Sequence, residues 1–387
     1  MIRPLFISPE FGTNDVNARI EELFLKKLSL DFSPTVLCKP NDSVDINKIE
    51  ILQNEEIERF ERKYHTYFFS PDTYHYSWGD LARKEICRRN LFNFDYIHTF
   101  SIPYASHLLG RDLKNKYKKP WVAQFFEPWY DNSYFCIKKN FVYRNAIKRW
   151  ELQVAQKADI IIHNSDTMYQ LWVEKYGKIV ENKMFVQNMP FDPQLHKQVY
   201  ANTTGKFVIS HIGNLVGLRS CIPFVKAVSN LFVKKPKLRE KLCINLVGRI
   251  QDSDLLFIKK ENLLDVFNVV SSIPESECNQ YYQMTDLFLV IEGAKQGGLF
   301  YPSKIIKYFY YQRPILGLTT EGSVLYKELT RTYNHCFENN EIDSISLFLE
   351  NAIENYESIC VNDISYWTNF DVRKIVKDYR KIIEHLI

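Results

Sequence analysis

The chain has 387 residues, 45% hydrophobic and 25% charged, ordinary globular values that exclude a disordered chain and, at this length, favour two domains over one. A formal charge of +4 is too small to argue for nucleic-acid binding by itself. Eight cysteines (Cys38, Cys87, Cys136, Cys221, Cys243, Cys278, Cys336, Cys360) are scattered without a C-x-x-C pair, which speaks against a disulfide framework or zinc site and for a reduced, cytosolic protein. MIRPLFIS enters a strand at once, without the apolar region of a signal peptide, and no run approaches the roughly 18 apolar residues of a membrane span. The 24 Tyr and 27 Phe suit an aromatic-rich core better than sugar stacking.

In chain order, short apolar runs alternate with helix-length segments, the pattern of an α/β chain with parallel sheets. In the first half, strands are predicted at Pro4–Ser8, Thr35–Cys38, Tyr96–Phe100, Trp121–Phe125, Ile160–His163 and Met184–Gln187, with helices such as Val16–Leu28 and Tyr143–Lys157 between them. Around 188–205 the pattern dissolves into NMPFDPQLHKQVYANTTG, the best interdomain linker in the sequence. The alternation then restarts, with strands at Phe207–Ile212, Cys243–Val247, Phe267–Val270, Leu287–Ile291 and Ile315–Leu318, and helices at Ile222–Val233 and Glu275–Met284. The expected domains are residues 1–195 and 205–370, both doubly wound and facing across a cleft. A closing helix, within 371–387, packs back towards the first domain. Ligands in open parallel sheets sit at the carboxyl ends of the strands.

Two stretches of the second half carry chemistry. FVISHIGNLVGLRS runs from a strand into Gly213 and Gly217, then Arg219, then a helix. Glycines let backbone approach a ligand, and arginine forks onto phosphate oxygens. The second stretch leaves its strand at Glu292, passes Gly297 and Gly298, and starts a helix at Pro302-Ser303-Lys304. Proline suits a first turn, Ser303 is a candidate cap, and the exposed N–H groups with Lys304 would converge on an anion. Either alone is explained by a tight turn or a solvated lysine. Together they read as a holder for a diphosphate.

The string YPSKIIKYF followed by RPILG resembles the "PSK-helix, then K/R-P-I-L" segment of family 4 glycosyltransferases of the GT-B fold, in the branch that builds bacterial surface polysaccharides. HIGNLVGLRS resembles the first loop of their nucleotide-sugar domain, and SSIPESECNQYYQMTDLFLVIE their base-side loop, helix and strand. In the first half, PWVAQFFEPW is similar to "PWVADFRDPW", and WELQVAQKADIIIHNSD to the segment that follows it. The matches run in order from about Pro4 to about Glu328.

The resemblance implies two Rossmann-like domains, the first binding acceptor and the second a nucleotide sugar, with UDP the prior. Gly213, Asn214 and Arg219 would face the donor diphosphate, Ser303 and Lys304 would clamp it, and the stretch around Ile273 would line the base. Gly12 matches a glycine loop that approaches the donor from the first domain. Glu127 stands where an acidic residue contacts acceptor or sugar. The family usually carries two glutamates eight positions apart, the second holding the ribose; here those positions are Leu299 and Lys307. Glu292 is the nearest stand-in for the first. The implied catalytic set is therefore Glu127, Glu292, Arg219 and Lys304. The implied reaction is retaining and needs no metal or cofactor beyond the nucleotide sugar. The acceptor would be a saccharide or lipid-linked saccharide.

Several further readings are open at this stage. The two missing glutamates keep alive a degenerate paralogue that binds glycan or a partner without turnover, and an epimerase fits less well. Asp252-Ser-Asp254 is either a metal-binding D-x-D or, the favoured reading, a pair of capping residues. His98, His163 and His211 lie at strand ends and read as structural. Tyr74, His75, Tyr76 and Trp78 form an aromatic stretch suited to packing or sugar stacking. Lys114, Lys116, Lys118, Lys119, Lys138, Lys139, Arg144, Lys148 and Arg149 make a locally basic region that would steer the chain to an anionic inner leaflet or simply be solvated.

Overall fold

The structure, a computed structural model, describes residues 1–13, 15–42, 46–52, 76–133, 141–293, 298–359 and 365–387. Tyr74, His75, Lys138, Lys139, Gly297, Cys136 and Cys360 lie outside them. The chain forms two compact units. The first holds Met1–Asp192, Leu299–Tyr301 and Asn369–Ile387; the second holds Pro193–Gly298 and Pro302–Thr368.

The first unit is built on a parallel sheet of β1 (Pro4–Ile7), β2 (Thr35–Cys38), β3 (Asn47–Glu50), β4 (Tyr96–Phe100), β5 (Trp121–Phe125), β6 (Ile160–His163) and β7 (Met184–Val186), in the order β3-β2-β1-β4-β5-β6-β7. Its central strands are buried throughout, as continuous apolar runs require when helices cover both faces. The edge strand NKIE buries only Ile49. With no apolar run it escapes sequence reading. The aromatic residues do serve the core here: Phe100 stacks between Phe6 and Phe126, with ring centroids 5.6 and 5.8 Å apart.

The final helix, Val372–Glu384, belongs to this unit. Its Tyr379 hydroxyl meets His98 Nδ1 at 2.8 Å and the Tyr96 hydroxyl at 2.9 Å, while His98 Nε2 lies 3.1 Å from Gln124 Oε1. Burial pushes the His98 pKa down to about 3, so the ring is a neutral structural group. A second buried polar knot sits on the helix Phe141–Lys157. Glu151, 0% exposed, accepts from Lys175 Nζ at 2.5 Å, the Tyr176 hydroxyl at 2.7 Å and the Tyr130 backbone N–H at 2.8 Å. Lys175 also holds Asp131 at 2.7 Å.

The second unit carries β8 (Phe207–Ile212), β9 (Leu242–Val247), β10 (Phe267–Val270), β11 (Leu287–Ile291), β12 (Ile315–Leu318) and β13 (His335–Phe337), all parallel, in the order β10-β9-β8-β11-β12-β13. From β8 the chain winds outward to β9 and β10, then returns to place β11 on the other side of β8. The strand order therefore reverses between β8 and β11. Loops leaving the carboxyl ends of those two strands diverge, and the crevice between them is where a doubly wound sheet takes a ligand. β13, three half-buried residues at the edge, is again too short to read from sequence.

Candidate functional site: a cationic crevice at the strand-order reversal

Both glycine-and-basic stretches leave the second sheet at this reversal, one after β8 and one after β11. The helix that completes the second stretch is Lys304–Tyr311. Its burial pattern follows from KIIKYFYY. Ile305, Ile306, Tyr308 and Phe309 face inward, with Tyr308 stacked on Phe288 at 4.1 Å and its hydroxyl accepting the Ile212 N–H at 3.0 Å. That hydrogen bond ties the middle of the helix to the end of β8. Ser303 occupies the N-cap position, but its side chain makes no capping hydrogen bond and its backbone is already helical, which corrects the capping role read from sequence.

The turn after β8 is closed by two glycines. Gly213 has φ +132° and Gly248 φ +128°, and a Cβ on Gly248 would lie 2.6 Å from the Gly213 carbonyl oxygen. No other residue type lets the two turns pass so closely. A Cβ on Gly213 would sit 2.7 Å from Lys304 Nζ, so the lysine tip rests against the bare face of the turn. Asn214 points elsewhere: its Oδ1 accepts the Arg249 N–H at 2.9 Å and pins the neighbouring turn. Gly213→Ala is expected to strain a backbone that L residues avoid, at a cost of about 1–3 kcal/mol, and to push the lysine aside. A lowered Tm accompanied by lost nucleotide stabilisation would bear this out; a lowered Tm with ligand stabilisation intact would not.

Two cations are concentrated here, with the Glu292 carboxyl close enough for the Arg219 charge to act on it. Among the described residues, no carboxylate lies within ion-pair distance of Lys304 or Arg219. Burial, and then the Arg219 charge, lower the Lys304 pKa to about 7. Lys304 Nζ lies 3.0 Å from Nε2 of His211, which is fully buried. Glu292, at the end of β11, accepts from the Thr319 hydroxyl and lies beside Ser323. Burial raises its pKa to about 7, while Thr319, Arg219 and Ser323 pull it back. An arginine, a half-buried lysine and a poised carboxyl thus surround one crevice. It is an arrangement that binds a phosphate-bearing anion.

Of the residues singled out from sequence, Gly213, Arg219, Lys304 and Glu292 meet at this crevice, with Ser303 beside it. Ile273 is half-buried in the loop between β10 and the helix Glu275–Met284. Gly12, φ +79°, follows β1, and half-buried Glu127 follows β5; both belong to the first unit. Lys307 forms an ion pair with Glu275 at 2.5 Å, which sequence reasoning missed because the two are 32 positions apart. Leu299 packs against the core of the first unit. Asp252-Ser-Asp254 proves to be structural in an unanticipated way. Asp254, fully buried, caps the neighbouring helix Ile222–Lys234 through the Cys221 N–H and the Ser220 hydroxyl, both at 2.8 Å. Its own helix takes Gln251 as N-cap. His163 is buried, as a structural strand-end residue should be.

Residues 31–194 match the family model of Glycosyltransferase Family 4. Over that stretch the chain is similar to family 4 glycosyltransferases. Solved structures support the fold along its whole length. Anabaena HepE in complex with UDP-glucose is similar at TM-score 0.71 and 13% identity, covering 100% of both chains. WaaG, a glycosyltransferase involved in lipopolysaccharide biosynthesis, is similar at TM-score 0.66 and 11% identity over 98% of this chain and 99% of that one. The E. coli trehalose-6-phosphate protein bound with UDP-2-fluoro glucose is similar at TM-score 0.70 and 9% identity over 100% and 99%. At these identities the likeness establishes the GT-B architecture of two Rossmann-like domains. No curated protein matches the sequence.

Proposed function

We propose that the protein transfers a glycosyl group from a UDP-sugar to a saccharide or lipid-linked saccharide acceptor, with retention of configuration and without a metal ion. The observation that carries this is the Gly213–Lys304–Arg219 crevice at the strand-order reversal, two cations that no described carboxylate ion-pairs, beside a helix start. As the bond from the sugar C1 to the diphosphate oxygen breaks, its electron pair leaves with UDP, and Arg219, Lys304 and the helix N–H groups neutralise the charge that develops. The acceptor oxygen forms the new C1–O bond, and its proton passes to the departing phosphate. Glu292 and Glu127 are proposed to act at the sugar and acceptor, and Gly12 to approach the donor from the first unit. HepE and the E. coli trehalose-6-phosphate protein are described with UDP or UDP-sugars bound, which favours a uridine nucleotide.

The ribose carboxylate is proposed to come from Glu275. Lys307 lies one turn beyond Lys304 on the same helix and holds the Glu275 carboxylate from across the helix pair. Ile273, two residues earlier, would line the base. A carboxylate accepting ribose hydroxyls contributes about 1.5–3 kcal/mol, so Glu275→Gln is expected to weaken UDP binding roughly tenfold. An equal loss for UDP and inorganic diphosphate would contradict the ribose contact. Among the described residues, no helix is long and apolar enough to cross a membrane. Contact with an anionic leaflet would rest on Lys118, Lys119, Lys148 and Arg149, since Lys114 is engaged by Asp159 at 2.5 Å and Arg144 by the Tyr130 hydroxyl at 3.0 Å. The function is tested by incubating the protein with UDP-sugars and oligosaccharide acceptors in EDTA, following UDP release and reading the product anomer by NMR. Release of UDP with an α-linked product from an α-linked donor is expected; inversion, or dependence on added divalent metal, would refute the mechanism.

A further inference from the structure

We propose that His211 is a positioning residue, whose bare Nε2 aims the Lys304 ammonium at the anion held in the crevice. The reading of that anion as a nucleotide diphosphate rests on the function proposed above, but the contact itself is fixed by geometry. His211 is the penultimate residue of β8 and is fully buried. Its Nδ1 lies 3.0 Å from the Leu289 carbonyl oxygen on the neighbouring strand β11. A carbonyl oxygen only accepts, so Nδ1 carries the hydrogen. Burial, then the positive charges of Lys304 and Arg219, hold the ring pKa well below its usual value against the backbone contacts of Leu289 and Gly213, which raise it, and keep the imidazole neutral. Nε2 therefore presents a lone pair, and Lys304 Nζ, 3.0 Å away, donates to it.

The consequence is directional. Lysine carries three rotatable donors on a flexible stem, and alone it is a poorly aimed point charge. With one N–H taken by His211 and the ammonium lodged against the side-chain-free face of Gly213, the other two are left for a ligand beside the turn. The groups facing the ammonium are His211 from β8 and Arg219 from the loop that follows it. Arg219 repels, and His211 offers the attraction that holds the tip in place. The chain of contacts from Leu289 to His211 to Lys304 spans the two strands that flank the reversal. It couples the site to the rigid sheet rather than to the loops.

Two measurements test this on the full-length protein. In the wild type, 15N shifts of the His211 ring distinguish a bare from a protonated nitrogen; a bare Nε2 with a protonated Nδ1 is expected, and the opposite tautomer overturns the proposal. Next, the titration of Lys304, read by NMR on isotopically labelled lysine, is compared in His211→Met and His211→Gln. Methionine fills the volume without the ring acceptor and is expected to shift the Lys304 midpoint downward, by about one pH unit. Glutamine, which keeps an acceptor, is expected to restore it. A midpoint that stays in place in His211→Met defeats the proposal whatever the protein binds. UDP affinity is then expected to fall about tenfold in His211→Met and to recover in His211→Gln. Failure of the wild type to bind any nucleotide, with the Lys304 shift intact, would instead refute the donor-site reading and leave the His211 contact standing.

Discussion

Lys304→Met is expected to weaken UDP binding by a hundredfold or more at pH 7, since it removes two charge-assisted hydrogen bonds worth about 1.5–3 kcal/mol each. The same substitution is expected to flatten a pH dependence that the wild type shows. The free lysine, lowered to about 7 by burial and Arg219, loses its proton as pH rises, whereas a bound diphosphate requires it charged. Wild-type affinity is therefore greatest below pH 7 and falls about tenfold per unit above it, one pKa unit being worth 1.36 kcal/mol. The second ionisation of the ligand's own phosphate, near pH 6, is about nine-tenths complete by pH 7 and works in the opposite direction below it. Calorimetric titration of UDP between pH 6.5 and 9 reads both effects. A wild-type profile as flat as that of the methionine variant would show that Lys304 does not meet the ligand.

Glu151→Ala is expected to be the most damaging single change in the first unit. It removes the acceptor for three donors at once and leaves the Lys175 ammonium, already set into the protein, with Asp131 as its one carboxylate among the described residues. Breaking a buried pair in this way costs about 3–5 kcal/mol. For a unit of this size that lowers Tm by roughly 6–20 °C. Glu151→Gln, which still accepts hydrogen bonds, is expected to lose less. A change in Tm below about 2 °C for the alanine variant would mean that the burial of this carboxylate is not what stabilises the helix Phe141–Lys157.

Much of the architecture is legible in the sequence because parallel strands buried on both faces are written as apolar runs. Thr35–Cys38, Tyr96–Phe100, Trp121–Phe125, Ile160–His163, Phe207–Ile212, Phe267–Val270, Leu287–Ile291 and Ile315–Leu318 coincide with the observed strands. Pro4–Ser8 and Met184–Gln187 each overrun by one residue, and Leu242 extends the strand predicted from Cys243. The strands that escaped, Asn47–Glu50 and His335–Phe337, are sheet edges, where one side has no neighbour to bury against. The site is legible in its glycines and cations because those residue types answer to backbone approach and anion charge. Its polar contacts are not. His211 reads as one more strand-end histidine until the Leu289 carbonyl and Lys304 are placed around it. Glu275 looks like a helix-start acid until Lys307 reaches it. Asp254 caps a helix that begins 32 residues earlier, a pairing that only the sheet order of β8 and β9 creates.

The central claim, that Lys304 with Arg219 holds a nucleotide diphosphate at the β8–β11 reversal, is tested most directly by titrating UDP into the wild type at pH 8 in buffers of different ionisation heat. With a lysine near 7 in the free site, binding is expected to take up about 0.9 proton on Lys304 at this pH, and the uptake is expected to fall by that amount in Lys304→Met, leaving only what Glu292, also near 7, contributes. Binding without proton uptake, or no binding at millimolar UDP, would contradict the account.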